Sequence, residues 1–389
     1  MRFHVLVLRI FLCLALCTLA SAIVPEAERS QAGAPAALHT ATLWDLKPSL
    51  KFDTLCLLNA LTGDPYYLRY YRAEYDRFSP QLTPAERDAF LSLKRILKDE
   101  AGGIISAQLS LYFSLAEDES LSEMIRTARD SSEMRAALLK TQYWSPGGWG
   151  AYERARPHLE TALKALQRLQ FESYWEKEAR PRILKRIEEL RPTLAKYNIV
   201  PSIERKLGGA LASDHITVYL LLYSEPHGIR ITGARFLTHV SYPFGIVLHN
   251  AIHEMMHPPY DAKDPAVSAA IDRLAAEPLI KDKVEHHDAS FGYNSAHGYI
   301  EEDSVQALEQ IVSEEFDMGR PRTYWKQQDG GMHVLAVAMY VLYKGALRDS
   351  PALPFSQWFV SAVKSGSLSG AQLSQTIEQF YSAPSPPAP

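Results

Sequence analysis

The sequence predicts an α+β protein that is mostly α, and three observations carry that reading. From Leu43 to about Lys196 apolar residues recur at helical spacing. His215–Tyr223 and Ile229–Val240 are instead β-branched, aromatic and nearly continuous in apolar character, at strand length. After Pro243-Phe244-Gly245 the helical period returns. With 389 residues, 47% of them hydrophobic, the chain has ample apolar material for a large core. Its length fits two domains or one large domain with an added lobe.

Taken in order, residues 1–22 have the layout of a secretory signal. Arg2 supplies the positive start, Val5–Leu19 is apolar apart from Arg9 and Thr18, and Ala20-Ser21-Ala22 is a small-residue cleavage pattern. A secreted or periplasmic protein is therefore expected. No later segment is long and apolar enough to predict a membrane span once the signal is removed. Residues 23–40 are rich in Ala and turn formers and predict a flexible leader. The helical region then covers 41–200, with Thr83-Pro84-Ala85-Glu86 as a helix start: Thr caps, Pro fits the first turn, and Glu86 takes the capping-box position. Two strands follow, the second with a possible break at Gly233, and then a helix over Ile246–His257. Met332–Arg348 reads as a core helix, and the Pro-rich 383–389 as a disordered tail.

Charge and cysteine content exclude several classes. The 41 basic and 45 acidic residues give a formal charge of −4 without a dense basic block, which argues against nucleic acid. Basic residues between Lys177 and Arg191 are interrupted by Glu178, Glu188 and Glu189, as on a solvated helix face. Of three cysteines, Cys13 and Cys17 lie in the signal. Cys56 alone can form neither an intramolecular disulfide nor a thiolate zinc site in the mature chain.

The chemistry concentrates at His253-Glu254-Met255-Met256-His257. Histidines four apart on a helix lie one above the other and can share one Zn²⁺ at about 2.0–2.1 Å each. Glu254, one step round, can take a proton from a water on that ion. Val247, Leu248, Ala251, Ile252, Met255 and Met256 form an apolar stripe opposite the histidines, and Pro258-Pro259 stops the helix. His249, one turn earlier, reads as a cleft-lining or supporting residue. A catalytic site needs a third protein ligand. The positions that would carry Gly and His in the extended histidine motif hold Tyr260 and Lys263, so a carboxylate from the acidic stretch Tyr299–Glu309 is required. Glu301, Glu302 and Glu309 are the candidates.

The strands, the HExxH motif and the downstream Glu-bearing helix resemble the gluzincins, zinc peptidases that take their third ligand from such a helix. The resemblance covers about residues 210–320. It implies a zincin-like domain over 201–382, in which a small sheet precedes the motif helix and a helical lobe, with the helical region before it. It also implies His253, His257 and Glu302 as ligands, with Gln306 four residues on as a polar partner, and ranks Glu301 and Glu309 behind Glu302. The distance from His257 to Glu302 is longer than in the thermolysin-like and aminopeptidase families, and their accessory motifs are absent.

A peptidase also needs a donor to the developing oxyanion. His297 or Tyr299, in the Gly- and Asn-containing stretch Phe291–Tyr299, could supply it. His286-His287-Asp288 is a weak second metal candidate, because adjacent residues rarely converge on one ion. The expected function is a secreted zinc metallohydrolase acting on peptides or proteins. The alternative is a non-catalytic secreted protein that keeps the scaffold as a binding or structural module. The intact Glu254 favours activity.

Overall fold

A four-stranded sheet carries the middle of the molecule: β1 (Leu43–Lys47), β2 (His215–Leu221), β3 (Ile229–Arg230) and β4 (Arg235–His239), in the order β1-β2-β4-β3. β1 and β4 both run parallel to β2, and β3 pairs antiparallel with β4. Among the described residues the other regular elements are helices, so the class is α+β and mostly α. The computed structural model describes residues 37–288 and 295–382. The secretory signal at 1–22, most of the leader at 23–40, Phe291–Asn294 and the tail 383–389 lie outside the described residues.

Leu43–Lys47 is a correction to the sequence reading, which placed it in the helical region. Its partner is 172 residues away: Leu43 opposes His215 and Lys47 opposes Tyr219. A five-residue edge strand carries too little alternation to announce itself. The local signal was Pro48, which restricts Lys47 to extended backbone. β2 shows the period-2 pattern that the apolar run concealed. Ile216, Val218 and Leu220 are fully buried, while Thr217 and Tyr219 are half-buried on the other face, where Tyr219 meets the Phe52 ring edge-on at 4.9 Å. The expected second strand divides into β3 and β4, and Gly233 between them has φ +76°, a conformation that favours glycine.

The regions before and after residue 200 share one hydrophobic core, and the chain from Ala37 onward forms one compact unit. Two helices bear the histidines and the acidic stretch. The motif helix, Phe244–Met255, packs against β4 and against the Glu helix, Ala296–Glu314. Ser295 starts the Glu helix, its hydroxyl accepting from Gly298 N at 3.1 Å. Among the described residues no helix is long and apolar enough to cross a membrane.

One buried carboxylate pins the end of β2. Asp53 is fully buried on the helix Leu50–Leu61. Its Oδ1 accepts from Leu222 N at 2.7 Å and Tyr223 N at 3.0 Å, and its Oδ2 accepts from the Trp175 indole at 2.7 Å. This fixes the point from which the chain departs toward the loop before β3. Asp53→Ala strands three buried donors and is expected to cost about 3 kcal/mol or more in chemical denaturation, and Asp53→Asn less. A loss of under about 1 kcal/mol for Asp53→Ala would contradict this role.

Candidate metal centre

The motif helix ends two residues earlier than its sequence suggests. Met255 is its last residue, and the Met256 amide donates to His253 O at 3.0 Å, tightening the final turn. His257 therefore stands just beyond the helix, ahead of Pro258. Its imidazole still faces that of His253, with the two Nε2 atoms 3.2 Å apart.

The Glu helix runs antiparallel alongside. As the histidines advance from 249 to 257, their carboxylate partners retreat from 309 to 301. His249 Nδ1 lies 2.8 Å from Glu309 Oε1, His253 Nδ1 3.3 Å from Glu309 Oε2, and His257 Nδ1 3.1 Å from Glu301 Oε1. Between the last two, the Glu302 carboxylate faces both Nε2 atoms: Oε1 is 3.5 Å from His253 and Oε2 is 3.7 Å from His257. His253, His257 and Glu302 thus form a cluster that could hold a metal ion, with one ligand atom from each lying within 4.8 Å of the others.

The separations can be tested against coordination chemistry. Tetrahedral ligands at about 2.0–2.1 Å from an ion are about 3.3–3.4 Å from each other. The 3.2 Å between the Nε2 atoms is close to that edge, while the 3.5 and 3.7 Å contacts come from the two different Glu302 oxygens, so a small divalent ion could be held once the carboxylate turns to present one oxygen to both or coordinates through both. The tautomers also fit. In the neutral tautomer protonated at Nδ1, each imidazole would donate to a carboxylate, Glu309 for His253 and Glu301 for His257, and leave its Nε2 lone pair for the shared point. Of the three candidate glutamates, Glu301 and Glu309 face the Nδ1 atoms of the histidines, and Glu302, ranked first, faces the Nε2 atoms of the cluster that could hold an ion.

The supports are themselves held. Glu309 Oε1 also accepts from Arg320 Nη2 at 2.7 Å. Gln306 Nε2 donates to Glu302 Oε1 at 3.1 Å, and the Trp325 indole donates to Gln306 Oε1 at 2.9 Å, which fixes the amide orientation. Next to Glu302, Asp303 is fully buried and lies 2.6 Å from His333 Nδ1. Burial opposes the charged form of His253, but Glu302 and then Glu309 hold its pKa well above the usual histidine value. Burial likewise opposes ionisation of Glu302, and the two histidines outweigh it, holding that carboxyl well below its usual range.

The cluster opens into a cleft of about 930 Å³ lined by Glu254, the edge strand residues Ile229 and Arg230, and Tyr112, Gly148 and Arg154 from the region before residue 200. A smaller lobe of about 330 Å³ adjoins His253, Glu254 and Glu302, with His227, Asn250 and Arg320 in its wall. Glu254 is buried against Gly228: a Cβ there would stand 3.1 Å from Glu254 Oε1 and 3.2 Å from Asn250 Nδ2. Glycine at 228 thus leaves room for the carboxylate.

Two expected site residues are not in this cleft. His297 is exposed in the first turn of the Glu helix and pairs with Asp272 at 3.2 Å. Tyr299 is fully buried and gives its hydroxyl to Met332 O at 2.7 Å, so it has no proton to offer substrate. Both lie before the turn of the helix that faces the histidines. His286 and His287 bond to Asp282 O and Val284 O of their own helix end, at 3.0 and 2.8 Å, and form no metal cluster among the described residues. Sequence reading passed over Arg320, Trp325, His333 and Gly228. His333 falls within the segment read as a core helix, and only pairing across the fold gives it and Arg320 a role.

Compared with family models, curated proteins and solved structures, the chain matches none.

The geometry predicts one divalent ion per chain by elemental analysis, lost in His253→Ala, His257→Ala and Glu302→Ala. Glu309→Ala is expected to retain the ion with affinity lowered about 10- to 100-fold, whereas His297→Ala changes nothing. A variant lacking Glu302 that binds the ion like wild type would refute the ligand assignment. Because His253 is held protonated well above its usual pKa, an incoming ion must displace that proton. Metal affinity should therefore fall as pH is lowered and rise as it is raised through neutrality, with proton release on binding in calorimetry. A pH-independent affinity would contradict this.

Proposed function

We propose that the chain is a zinc-dependent hydrolase of the gluzincin-like kind, exported and acting on peptide bonds. The carrying observation is the convergence of two imidazole Nε2 atoms and one carboxylate at 3.2, 3.5 and 3.7 Å, with Glu254 beside them at the wall of an open cleft. Two imidazole nitrogens and a carboxylate, without thiolate, are a donor set that suits zinc, with a further position left for water. Zinc in such a site supplies an activated water near neutral pH and polarises a carbonyl.

The residues of the chain divide the remaining work. His253, His257 and Glu302 hold the ion; Glu301 and Glu309 fix the imidazole tautomers. Glu254 accepts the proton of the attacking water and returns it to the departing amine nitrogen. β3 is the outer strand of the sheet on that side, and its residues Ile229 and Arg230 line the cleft. An extended peptide can lie along it, offering main-chain groups to the strand edge while its carbonyl faces the cluster. That edge is what favours a peptide over a small ester. Export rests on the signal-like residues 1–22.

Glu254→Gln is expected to lower kcat on a peptide library by at least about 10²-fold with metal content unchanged. Gly228→Ala, which pushes a methyl against the same carboxylate, should lower it about tenfold, again without metal loss. Full turnover in Glu254→Gln would sink the hydrolase reading. Stoichiometric metal in the wild-type chain with no turnover on any peptide would move it to a non-catalytic binding module.

A further inference from the structure

A second cavity, of about 540 Å³, lies farther along the Glu helix at Gln310 and Glu314. It contains none of His253, Glu254, His257 or Glu302, and touches the smaller lobe of the metal cleft only through Gln310's neighbours Arg320 and Tyr324, which line both. Its volume is that of a small-ligand site.

The walls are of two kinds. One is apolar. Trp325, Ala336 and Val337 form a small cluster apart from the main core, with Tyr340 and Phe380 packed against it. The Trp325, Tyr340 and Phe380 rings stand 5.6–6.1 Å from one another. The other wall is cationic: Arg320, Arg322, Lys344 and Arg348 all line the cavity. Arg320 is committed to Glu309 and stacks on Tyr324 at 4.1 Å, so it serves as partition. Arg322 lies over the Phe380 ring at 5.0 Å, at the seam between the two walls.

The lining includes a single carboxylate, Glu314, and it is saturated. It accepts from Gln310 Nε2 at 3.0 Å and the Tyr340 hydroxyl at 2.7 Å, and it pairs with Lys344. Arg320 and Lys344 are thus each paired with a carboxylate, Glu309 and Glu314, and the guanidinium groups of Arg322 and Arg348 line the same wall. Aromatic surface beside guanidinium groups recognises an apolar body carrying a carboxylate. We propose that this cavity binds a small organic anion of that chemistry, a carboxylate on an aromatic or aliphatic group, presented either as a free acid or as the C-terminal residue of a peptide.

The test is calorimetric binding to the full chain as purified. N-acetylphenylalanine and a short peptide ending in Phe are each compared with their C-terminal amides. Both acids, or the peptide acid alone, should bind at least about tenfold more tightly than their amides. The first pattern identifies the free acid as sufficient, the second a peptide C-terminus. Arg348→Glu, at an exposed position, and Phe380→Ala should each abolish the preference for the acid without altering metal content. Amides that bind as well as acids would overturn the proposal. So would acid binding that both variants leave intact, because a carboxylate caught by the metal centre would be indifferent to them. The measurement needs no turnover, so its result is separate from the fate of the hydrolase reading.

Discussion

The antiparallel pairing of the motif helix with the Glu helix is the contact on which the site depends. It sets three histidines against three glutamates in reversed order, so that one register decides every partner at once. Sliding either helix by one turn would place His253 opposite the wrong carboxylate. The pairing is also electrostatically demanding. Glu254, Glu302 and Glu309 bring three buried carboxylates to one small region, with the partly exposed Glu301 beside them, and Arg320 pairs with Glu309. Buried carboxylates at this density are costly unless positive charge is supplied. Protons on the imidazoles can supply it, and so can a divalent ion, which compensates more charge and leaves the imidazoles neutral.

The remainder of the fold keeps the cleft in front of this pairing. Asp53 ties the helix Leu50–Leu61 to the end of β2 and to Trp175, and the chain leaves that point for the turn carrying His227 and Gly228. Gly228 then lies against Glu254, and β3 follows as the outer strand. The opposite wall comes from Tyr112, Gly148 and Arg154, so the helices before residue 200 help form the cleft that the metal residues face. Their shared core with the later helices makes that wall part of the fold.

Much of the site was legible because helices encode contacts locally. The spacing of His253 and His257 needs no knowledge of the rest of the chain, and neither does an acidic stretch with Gln306 four residues after Glu302. The ranking that put Glu302 first came from the resemblance; Glu301, Glu302 and Glu309 are indistinguishable by type, and only the register shows which of them faces both Nε2 atoms. His297 and Tyr299 were misplaced for the same reason. Proximity in sequence to the Glu helix put them near the site, but one faces Asp272 in solvent and the other is consumed by Met332 O. β1 failed differently, since five residues hold no period worth reading and their pairing is with His215–Tyr219. Arg320, Trp325 and His333 were invisible because each acts through a contact with another element.

The two histidine ligands are not equivalent, and the difference follows from where the helix stops. His253 sits within the helix, and its Nδ1 faces the buried Glu309, which Arg320 and His249 also hold. His257 sits past the last turn, and its Nδ1 faces Glu301, whose side chain is 41% exposed. A half-solvated support is weakened by salt and competes with water; a buried, multiply bonded one is not. One side of the centre is therefore rigid and the other can adjust. Glu302 spans both, one oxygen toward each imidazole, so a shift of His257 can be followed by rotation of that carboxylate without disturbing His253. An ion held by this cluster would be anchored from the helix side, with the adjustment left to His257 and Glu302.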